Sequence, residues 1–589
     1  MNHPENTKIK YSKYLYPGPI YKRYGSKRSL PSIMQNVFSP RERKTLIWLI
    51  IACILTYLLG WQIPLMEIDA AQYANLSREM ILHKSFLRVY DQGLDYLDKP
   101  PMLLWLGAIS MKIFGIHDWA YRLPSFLFSI LSVYSTYRFS KIYYQERVAL
   151  LCALVLAGCQ AMFLINHDVR TDTMLMGWIM FSIWQLAVWI EKKNWVTLIL
   201  ASFAIAGGMM TKGPIALIVP VFAFSAHFML RRSWAMFFRW EYLVMVAIIG
   251  ILLIPMSIGL YQQFDLHPEK VMYGQNGISG LRFYYWTQSF GRFTGESTWK
   301  EKVSFFFYFE NLLWGFLPWT LFFILGLIMG LWEWVRKRFY ILAGEEGISL
   351  GGFLITYCAL ARSQSQLPHY IYVVLPLASV VTGKMLHRLI WDGMYERWIK
   401  PLSILHYVIF SILVVVLFVL LVLPFPPVQI LLIFSALAST ILLIVSLVRH
   451  WLPISALLTS CVFTIVLINV WLDSGFYPKL LQYQMSIPVT RFIRENNLDK
   501  NRIVLYHMEM CRSLDFYNQH AFYVTKQPDS LKTNDYLLTN KAGMDMINKE
   551  LFTTIDTGVA FHVTTLSISV LNPKTRPGDS DAYYLLKRN

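Results

Sequence analysis

Long apolar runs recur through this chain of 589 residues and restrict the folds that it can adopt. About 20 apolar residues in a helix span the hydrocarbon core of a bilayer, and runs of this kind follow one another from Thr45 to Leu472. Only 15% of the residues are charged, whereas soluble proteins carry about 25%. The sequence therefore predicts a polytopic α-helical membrane protein.

The apolar runs predict about 13 transmembrane helices. We expect them at 45–63, 120–140, 148–166, 173–190, 195–210, 213–230, 241–260, 311–333, 343–361, 369–387, 403–423, 428–448 and 452–472. The run 102–114 follows two prolines and is too short for a full crossing, so we expect it to lie along the outer surface. With the N-terminus inside, the basic turns between these spans then fall on the inner side, as the positive-inside rule requires.

The two ends of the chain differ from its apolar centre. Residues 1–44 are rich in Lys and Arg and predict a basic cytoplasmic arm, so much of the net charge of +18 reflects topology and contact with anionic lipid rather than nucleic acid. Residues 473–589 predict a small extracytoplasmic α/β domain, for which a structural cap is favoured over a catalytic role. We expect a helix at 487–496 and strands at 502–507, 521–524 and 559–570. The six cysteines show neither a disulfide framework nor zinc spacing.

Ionisable side chains collect in the loops of the predicted outer face. They include Glu67, Asp69, Arg78, Glu79, Asp98 and Lys99 in the first loop, Asp168, Arg170 and Asp172 in the second, Lys212 in the third and Arg292 in the fourth. Cations at this depth can bind a lipid phosphate and stabilise it as it leaves, while a carboxylate orients or deprotonates an incoming hydroxyl. These residue types suit transfer of a sugar from a polyprenyl phosphate.

Seven separated motifs occur in order along the chain. They are Asp69–Met80, Asp98–Pro101, Arg122–Ser125, Arg170–Asp172, Thr211–Pro214, Gly315–Trp319 and Leu367–Tyr370. Together they resemble the dolichyl-phosphate-mannose protein mannosyltransferase-like family, in particular bacterial members similar to the lipid A aminoarabinose transferases. The resemblance implies a glycosyltransferase C-type fold in the bacterial inner membrane. It also implies that a monosaccharide moves, with inversion, from a polyprenyl monophosphate to a lipid or protein acceptor on the extracytoplasmic face.

The resemblance also assigns roles to individual residues. Asp69 and Asp172 correspond to catalytic aspartates, and Lys99 corresponds to a lysine that contacts the donor phosphate. Arg292 and Tyr370 correspond to residues that line the same phosphate site. Further substrate-binding candidates are Arg170, Lys212 and Arg78.

The chain departs from the family pattern at several positions of the site. Ala70 stands where an acidic residue often follows the aspartate, and Gln72 stands where the aminoarabinose transferases have an arginine. Asp98 and Ser289 stand where those relatives have a glutamate and a histidine that can form a metal site. Asp98 is the remaining metal candidate, and a divalent cation is the one cofactor left open.

Other interpretations of the same residues also stay open. Asp69 could cap a helix over 70–82, and Asp172 could cap the span that starts at Thr173, with Arg170 as its partner. Lys99 could be an interfacial lysine whose ammonium reaches water. A transporter or flippase of a lipid-linked or anionic substrate is the alternative class, but such proteins place charges within their spans and often carry repeats, and neither feature is evident here.

Overall fold

The computed structural model of the protein describes residues 38–288, 291, 296, 304–393, 396–425, 430–449, 452–508, 511–561, 568–578 and 580–589. Contacts divide the chain into two units, Met1–Ser39 and Pro40–Asn589. The second unit contains the described helices and strands. The predicted boundaries at residues 44 and 472 stay predictions.

Helices account for most of the second unit. In chain order the longer ones are α1 (Pro40–Tyr57), α2 (Asp69–Leu82), α3 (Met102–Phe114), α4 (Asp118–Tyr143), α5 (Glu146–Ala157), α6 (Gln160–His167), α7 (Thr171–Lys192), α8 (Trp195–Lys212), α9 (Ile215–Leu230), α10 (Glu241–Leu260), α11 (Phe307–Gly315), α12 (Thr320–Arg336), α13 (Ile348–Ala361), α14 (Leu375–Ile390), α15 (Glu396–Val422), α16 (Ile430–Arg449) and α17 (Ala456–Trp471). A 3₁₀ helix, Pro368–Val374, leads into α14.

In the part of the chain that the structure describes, seven helices are long and apolar enough to cross a membrane. An eighth is obtained if α5 and α6, which are bent by 51° at their junction, form one span. The protein is therefore an integral membrane protein. Each predicted span coincides with a helix or a broken pair of helices, but several helices are too short to count as full crossings, so the predicted number of about 13 is not confirmed.

The two helices predicted between the first and second spans are present. The short apolar run forms α3 over Met102–Phe114, and α2 precedes it as a helix of 14 residues. Between them lies a hairpin of β1 (Tyr90–Asp91) and β2 (Leu94–Asp95). The two helices share a buried core that includes Tyr73, Leu76 and Leu103. How these helices lie relative to the bilayer stays a prediction.

The C-terminal segment forms a mixed sheet with flanking helices. Its main elements in chain order are α18 (Ser486–Glu495), β5 (Ile503–Tyr506), α19 (Arg512–Asn518), β6 (Tyr536–Asn540), β7 (Phe552–Phe561) and β8 (Ser580–Arg588). A second hairpin, of β3 (Val271–Met272) and β4 (Gln275–Asn276), lies outside this segment. The strand order is β5-β6-β8-β7, with β5 parallel to β6 and the other pairs antiparallel. This arrangement confirms an α/β fold for the segment.

The predicted elements of this segment agree with the structure in part. The helix at 487–496 and the strand at 502–507 are confirmed by α18 and β5. The stretch 521–524 contributes only an isolated bridge between Val524 and Leu505. The predicted strand 559–570 is misplaced, because β7 begins at Phe552 and ends at Phe561, and residues 562–567 lie outside the described residues. The first half of β7 is polar on its exposed face, so hydrophobicity alone did not reveal it.

Candidate functional site

Asp69 lies at the start of α2 and is bound by an arginine from a distant loop. Arg170, in the turn between α6 and α7, donates from Nη1 to Asp69 and from Nε to Asp168 at 2.8 Å. Burial works against the charge of Arg170, but the carboxylates of Asp168 and Asp69 outweigh it and raise the pKa of the guanidinium above its ordinary value. The side chain of Asp69 is 36% exposed, so its carboxylate is oriented and still accessible.

Neither aspartate is an N-cap. Ile68 occupies the N-cap position of α2, Arg170 occupies that of α7, and neither cap residue makes a side-chain cap bond. Asp69 and Asp172 lie in the first turns, where a negative charge is favourable next to the helix N-terminus. The capping interpretations are therefore wrong, and Arg170 pairs with Asp69 and Asp168 rather than with Asp172.

Asp172 is the buried carboxylate of the site, with 1% of its side chain exposed. Both of its oxygens accept hydrogen bonds from Lys212 Nζ at 2.6 Å. Lys212 ends α8, and the chain then turns through Gly213, whose φ of 89° is a conformation that favours glycine. The ammonium lies 3.8 Å from the ring centroid of Tyr370, and His369 Nε2 lies 3.7 Å from Asp172 Oδ2. The second loop, the third loop and the 3₁₀ helix before α14 thus meet at one carboxylate.

Asp98 and Lys99 form a third ion pair, and their side chains are 28% and 19% exposed. Gln288 donates from its side-chain amide to the carbonyl oxygen of Asp98 and, at 3.1 Å, to Oδ1. Asp98 therefore already has two partners, and the described residues contain no group of three His, Cys, Asp or Glu side chains placed to hold a metal. The described side chains do not fit a divalent cation at Asp98. Ser289 and Arg292 lie outside the described residues.

The three ion pairs surround one region. Lys99, Arg170 and Lys212 all lie close enough to His369 to exert an electrostatic effect on its imidazole. Such effects weaken with distance, so the cations of the three pairs lie in the same part of the molecule as this histidine. The structure thus brings together Asp69, Asp172, Lys99, Arg170, Lys212 and Tyr370 of the predicted site, with Asp98 paired to Lys99.

Arg78 is placed elsewhere. It follows Asp69 by nine residues on α2, which places it about 13 Å further along the helix axis and on the opposite face of the helix. Only 2% of Arg78 is exposed, and Nη1 donates to the carbonyl oxygen of Asp515 at 3.3 Å. The structure does not bring Arg78 to the ion pairs, because its guanidinium is buried against the C-terminal segment.

Arg122 has a role in the site that the sequence did not reveal. It is fully buried in α4 and donates to the carbonyl oxygens of His167 at 3.1 Å, Trp61 at 3.4 Å and Pro64 at 3.4 Å. These carbonyls belong to the chain that precedes Asp69 and to the end of α6. Arg122 therefore fixes the two loops that carry Asp69 and Arg170 to each other. Its motif was visible in the sequence, but no pattern indicated that its partners would be backbone oxygens.

Comparison with solved structures identifies the fold. The crystal structure of ArnT from Cupriavidus metallidurans bound to undecaprenyl phosphate matches with a TM-score of 0.69 over 92% of this chain and 98% of that chain, at 16% identity. The apo structure of the same protein matches with a TM-score of 0.67. The fold is therefore the predicted glycosyltransferase C-type membrane fold.

Sequence comparison confirms the predicted resemblance. The family model "Dolichyl-phosphate-mannose-protein mannosyltransferase" matches residues 98–258, which include Lys99, Arg170, Asp172 and Lys212. The undecaprenyl phosphate-alpha-4-amino-4-deoxy-L-arabinose arabinosyl transferase of Wigglesworthia glossinidia brevipalpis is 26% identical over 58% of this chain and 58% of its own length. A Pseudomonas fluorescens protein of the same name is 27% identical over 59% of this chain and 61% of its own length.

The chain thus spans about three fifths of the length of these curated relatives. Both relatives are named as sugar transferases, and the comparisons give no support to the transporter alternative.

Proposed function

We propose that this protein is an inverting glycosyltransferase that moves a monosaccharide from a polyprenyl monophosphate to a lipid or protein acceptor. The observation that carries the proposal is the buried Asp172–Lys212 pair, which lies beside His369 and Tyr370 in a membrane-embedded fold. Two residues before Asp172, Arg170 forms the partly exposed pair with Asp69. The names of the relatives support a polyprenyl phosphate donor, since each specifies an undecaprenyl phosphate sugar. We place the reaction at the extracytoplasmic face of a bacterial inner membrane.

In the proposed reaction the oxygen of an acceptor hydroxyl forms a bond to the anomeric carbon from the face opposite the phosphate. The bond between that carbon and the phosphate oxygen breaks, and its electron pair remains on the departing polyprenyl phosphate. The hydroxyl proton passes to Asp69, which is more exposed than Asp98, Asp168 or Asp172. Lys99 and Arg292 stabilise the negative charge that develops on the phosphate.

Burial separates the roles of the two proposed catalytic aspartates. Asp172 is almost completely buried and both of its oxygens are bound by Lys212, so it orients its surroundings rather than taking up a proton. Removing the cation from a buried pair is costly, whereas a partly exposed pair separates easily. Lys99, whose pair with Asp98 is partly exposed, is therefore the cation that can turn to an incoming phosphate, while Lys212 stays with Asp172.

The test compares polyprenyl phosphate sugars and surface glycans in cells that have or lack this protein. We expect the donor lipid to accumulate and one glycan to disappear in its absence. The Asp69→Asn variant should fail to restore the glycan, with transfer lowered by roughly 10²–10⁴-fold, because the carboxylate can no longer accept a proton. Its binding of undecaprenyl phosphate in detergent should stay within about twofold of the parent, since Asp69 acts on the acceptor.

Asp529→Asn is the matched control, since it removes an exposed carboxylate of the C-terminal segment, and it should restore the glycan fully. A folded Asp69→Asn protein that transfers normally would contradict the role of Asp69. If deletion changes no lipid-linked sugar and no glycan, the proposed function itself is wrong.

A further inference from the structure

We propose that the C-terminal segment is part of the catalytic apparatus, because Ser513 and its neighbours on α19 hold the chain that presents Asp69. The inference rests on the proposed function and gives the segment a positioning role instead of that of a separate cap. Ser513 is a positioning residue here, since it acts on the reaction through Asp69.

The main contact joins Ser513 to Glu67, which lies two residues before Asp69. The backbone N–H and the hydroxyl of Ser513 donate to Glu67 Oε1 at 2.6 and 2.5 Å, and Cys511 Sγ donates to the same oxygen at 3.3 Å. Ser513 itself is fully buried. Three donors on one carboxylate oxygen fix the side chain of Glu67, and therefore the backbone next to Asp69.

The backbone of the same stretch is also held from the C-terminal segment. Leu65 donates its N–H to the Tyr517 hydroxyl at 2.7 Å, and its carbonyl oxygen accepts from Gln484 Nε2 at 3.0 Å. The N–H of Glu67 donates to Gln484 Oε1 at 3.1 Å. Buried backbone groups need partners, and for Leu65 and Glu67 these partners come from more than 400 positions further along the chain.

A second set of contacts runs along α2 and fixes its rotation about its own axis. Asp91 Oδ2 accepts from Gln72 on α2 and from Arg512 on α19, both at 2.8 Å. Phe516 of α19 packs into the core that α2 and α3 share. The helix that begins with Asp69 is therefore held both ahead of its first turn and along its length.

This arrangement should affect catalysis because small displacements matter. A reacting group that moves by about 1 Å can lose roughly 10²-fold in rate. Loss of the Ser513 hydroxyl removes one of the hydrogen bonds to Glu67 and leaves the binding site of the sugar-carrying lipid untouched. It should therefore lower kcat rather than raise the KM for that lipid.

The experiment measures transfer by the full-length protein in vesicles that contain the donor lipid found by the cell comparison. We expect Ser513→Ala to lower kcat roughly tenfold, with the donor KM within about twofold of the parent. Tyr517→Phe, which removes the hydroxyl that accepts from Leu65, should act in the same direction. Ser513→Thr keeps a hydroxyl and should regain most of the rate.

The control is Arg502→Gln, which breaks a 3.0 Å ion pair with Asp535 elsewhere in the C-terminal segment and should leave kcat unchanged. The decisive measurement is Ser513→Ala in the Asp69→Asn background, where no further loss of rate is expected because the two residues act through one carboxylate. An additive loss there would overturn the proposal. A parental kcat in both Ser513→Ala and Tyr517→Phe would also overturn it.

Amide hydrogen exchange separates this proposal from the proposed function. Exchange over residues 63–72 should become faster in Ser513→Ala, and this measurement does not depend on activity. Unchanged exchange would overturn the positioning role. If exchange becomes faster in Ser513→Ala although the parent protein shows no sugar transfer, the positioning role of Ser513 stands and the proposed function is wrong.

Discussion

At the scale of single residues, burial divides carboxylates of the same type into different roles. Asp69 is 36% exposed and shares an arginine with Asp168, whereas Asp172 is 1% exposed and has both oxygens on one ammonium. In the proposed reaction, Asp69 is therefore the one of these two carboxylates that can approach a substrate hydroxyl. The buried one contributes through the groups that it arranges, namely Lys212 and the neighbouring His369.

Lys212→Met should leave a buried carboxylate without its cation. Breaking a buried pair from one side costs about 3 kcal/mol, so we expect a lower midpoint of heat unfolding for the purified protein as well as loss of transfer. The double variant Asp172→Asn/Lys212→Met has no uncompensated charge and should recover most of the heat stability but not the transfer. A parental midpoint in the Lys212→Met protein would show that the pair does not stabilise the fold.

The sequence predicted which residue types gather at the site but not how they pair. Asp69 and Arg170 lie 101 positions apart, and their contact depends on how two loops meet. A local interpretation instead joined Arg170 to Asp172, two positions away. Short sequence distance was misleading because the first turn of α7 directs the side chains of 170 and 172 to different neighbours.

At the scale of elements, the contact between α2 and α19 is rich in acidic groups. Burial raises the pKa of Glu67, Glu79 and Asp515, and for Asp515 the value rises from 3.8 to about 6. Hydrogen bonds from Phe522 and Gln92 and the charges of Arg512 and Arg78 oppose this shift without cancelling it. Burial in this contact therefore makes each of the three carboxyl groups bind its proton at a higher pH than it would in water.

Asp515 should make the protein less stable as the pH rises. Its pKa is higher in the folded state, so the folded protein holds more protons than the unfolded chain between pH 3.8 and about 6. Stability is then lost as the pH rises through this window and stays at its lower level above it. We expect Asp515→Asn to remove this loss. The heat-unfolding midpoint of the variant should therefore rise relative to that of the parent as the pH increases from 4 to 7.

In the parent, the Phe522 N–H donates to Asp515 Oδ1 at 3.0 Å. The side-chain amide oxygen of the Asp515→Asn variant can still accept this hydrogen bond. Asp529→Asn, at an exposed position, serves as the control and should follow the parent at every pH. A constant difference between the Asp515→Asn protein and the parent across the range would contradict the expected titration.

Secondary structure in the C-terminal segment was predictable where hydrophobic periodicity was strong. Helix α18 and strand β5 follow such patterns. Strand β7 does not, since Thr553, Thr554 and Asp556 lie in its first half and its pairing with β8 is shifted between Thr554 and Asp556. The docking of α19 onto α2 was also beyond prediction, because it depends on contacts between residues more than 400 positions apart.

At the scale of the whole molecule, the apolar runs were sufficient to predict a helical membrane protein. They were not sufficient to predict the number of crossings, because apolar segments such as α9 and α13 are only 16 and 14 residues long. Whether a short helix crosses the bilayer depends on its neighbours and its tilt. The fold class was predicted by the family resemblance that the seven ordered motifs carry.

The orientation in the membrane can be tested with single cysteines. In a protein whose exposed Cys358 is replaced by Ala, Asp529→Cys should react with a membrane-impermeant maleimide added to intact cells. Arg336→Cys, at the last residue of α12, should react only once the cells are opened, since the positive-inside rule places this basic turn in the cytoplasm. Both positions are exposed in the structure, so labelling after lysis controls for reactivity, and the reverse pattern would contradict the predicted topology.

The contacts of Arg122 also bear on how the site moves. One guanidinium holds carbonyl oxygens from the stretch before Asp69 and from the end of α6, so a fluctuation that displaces one loop carries the other with it. The separation between Asp69 and Arg170 is then preserved while both shift relative to the lipid surface. In the proposed reaction, a substrate from the bilayer would then meet a pair of charges whose geometry does not vary with the movement around it.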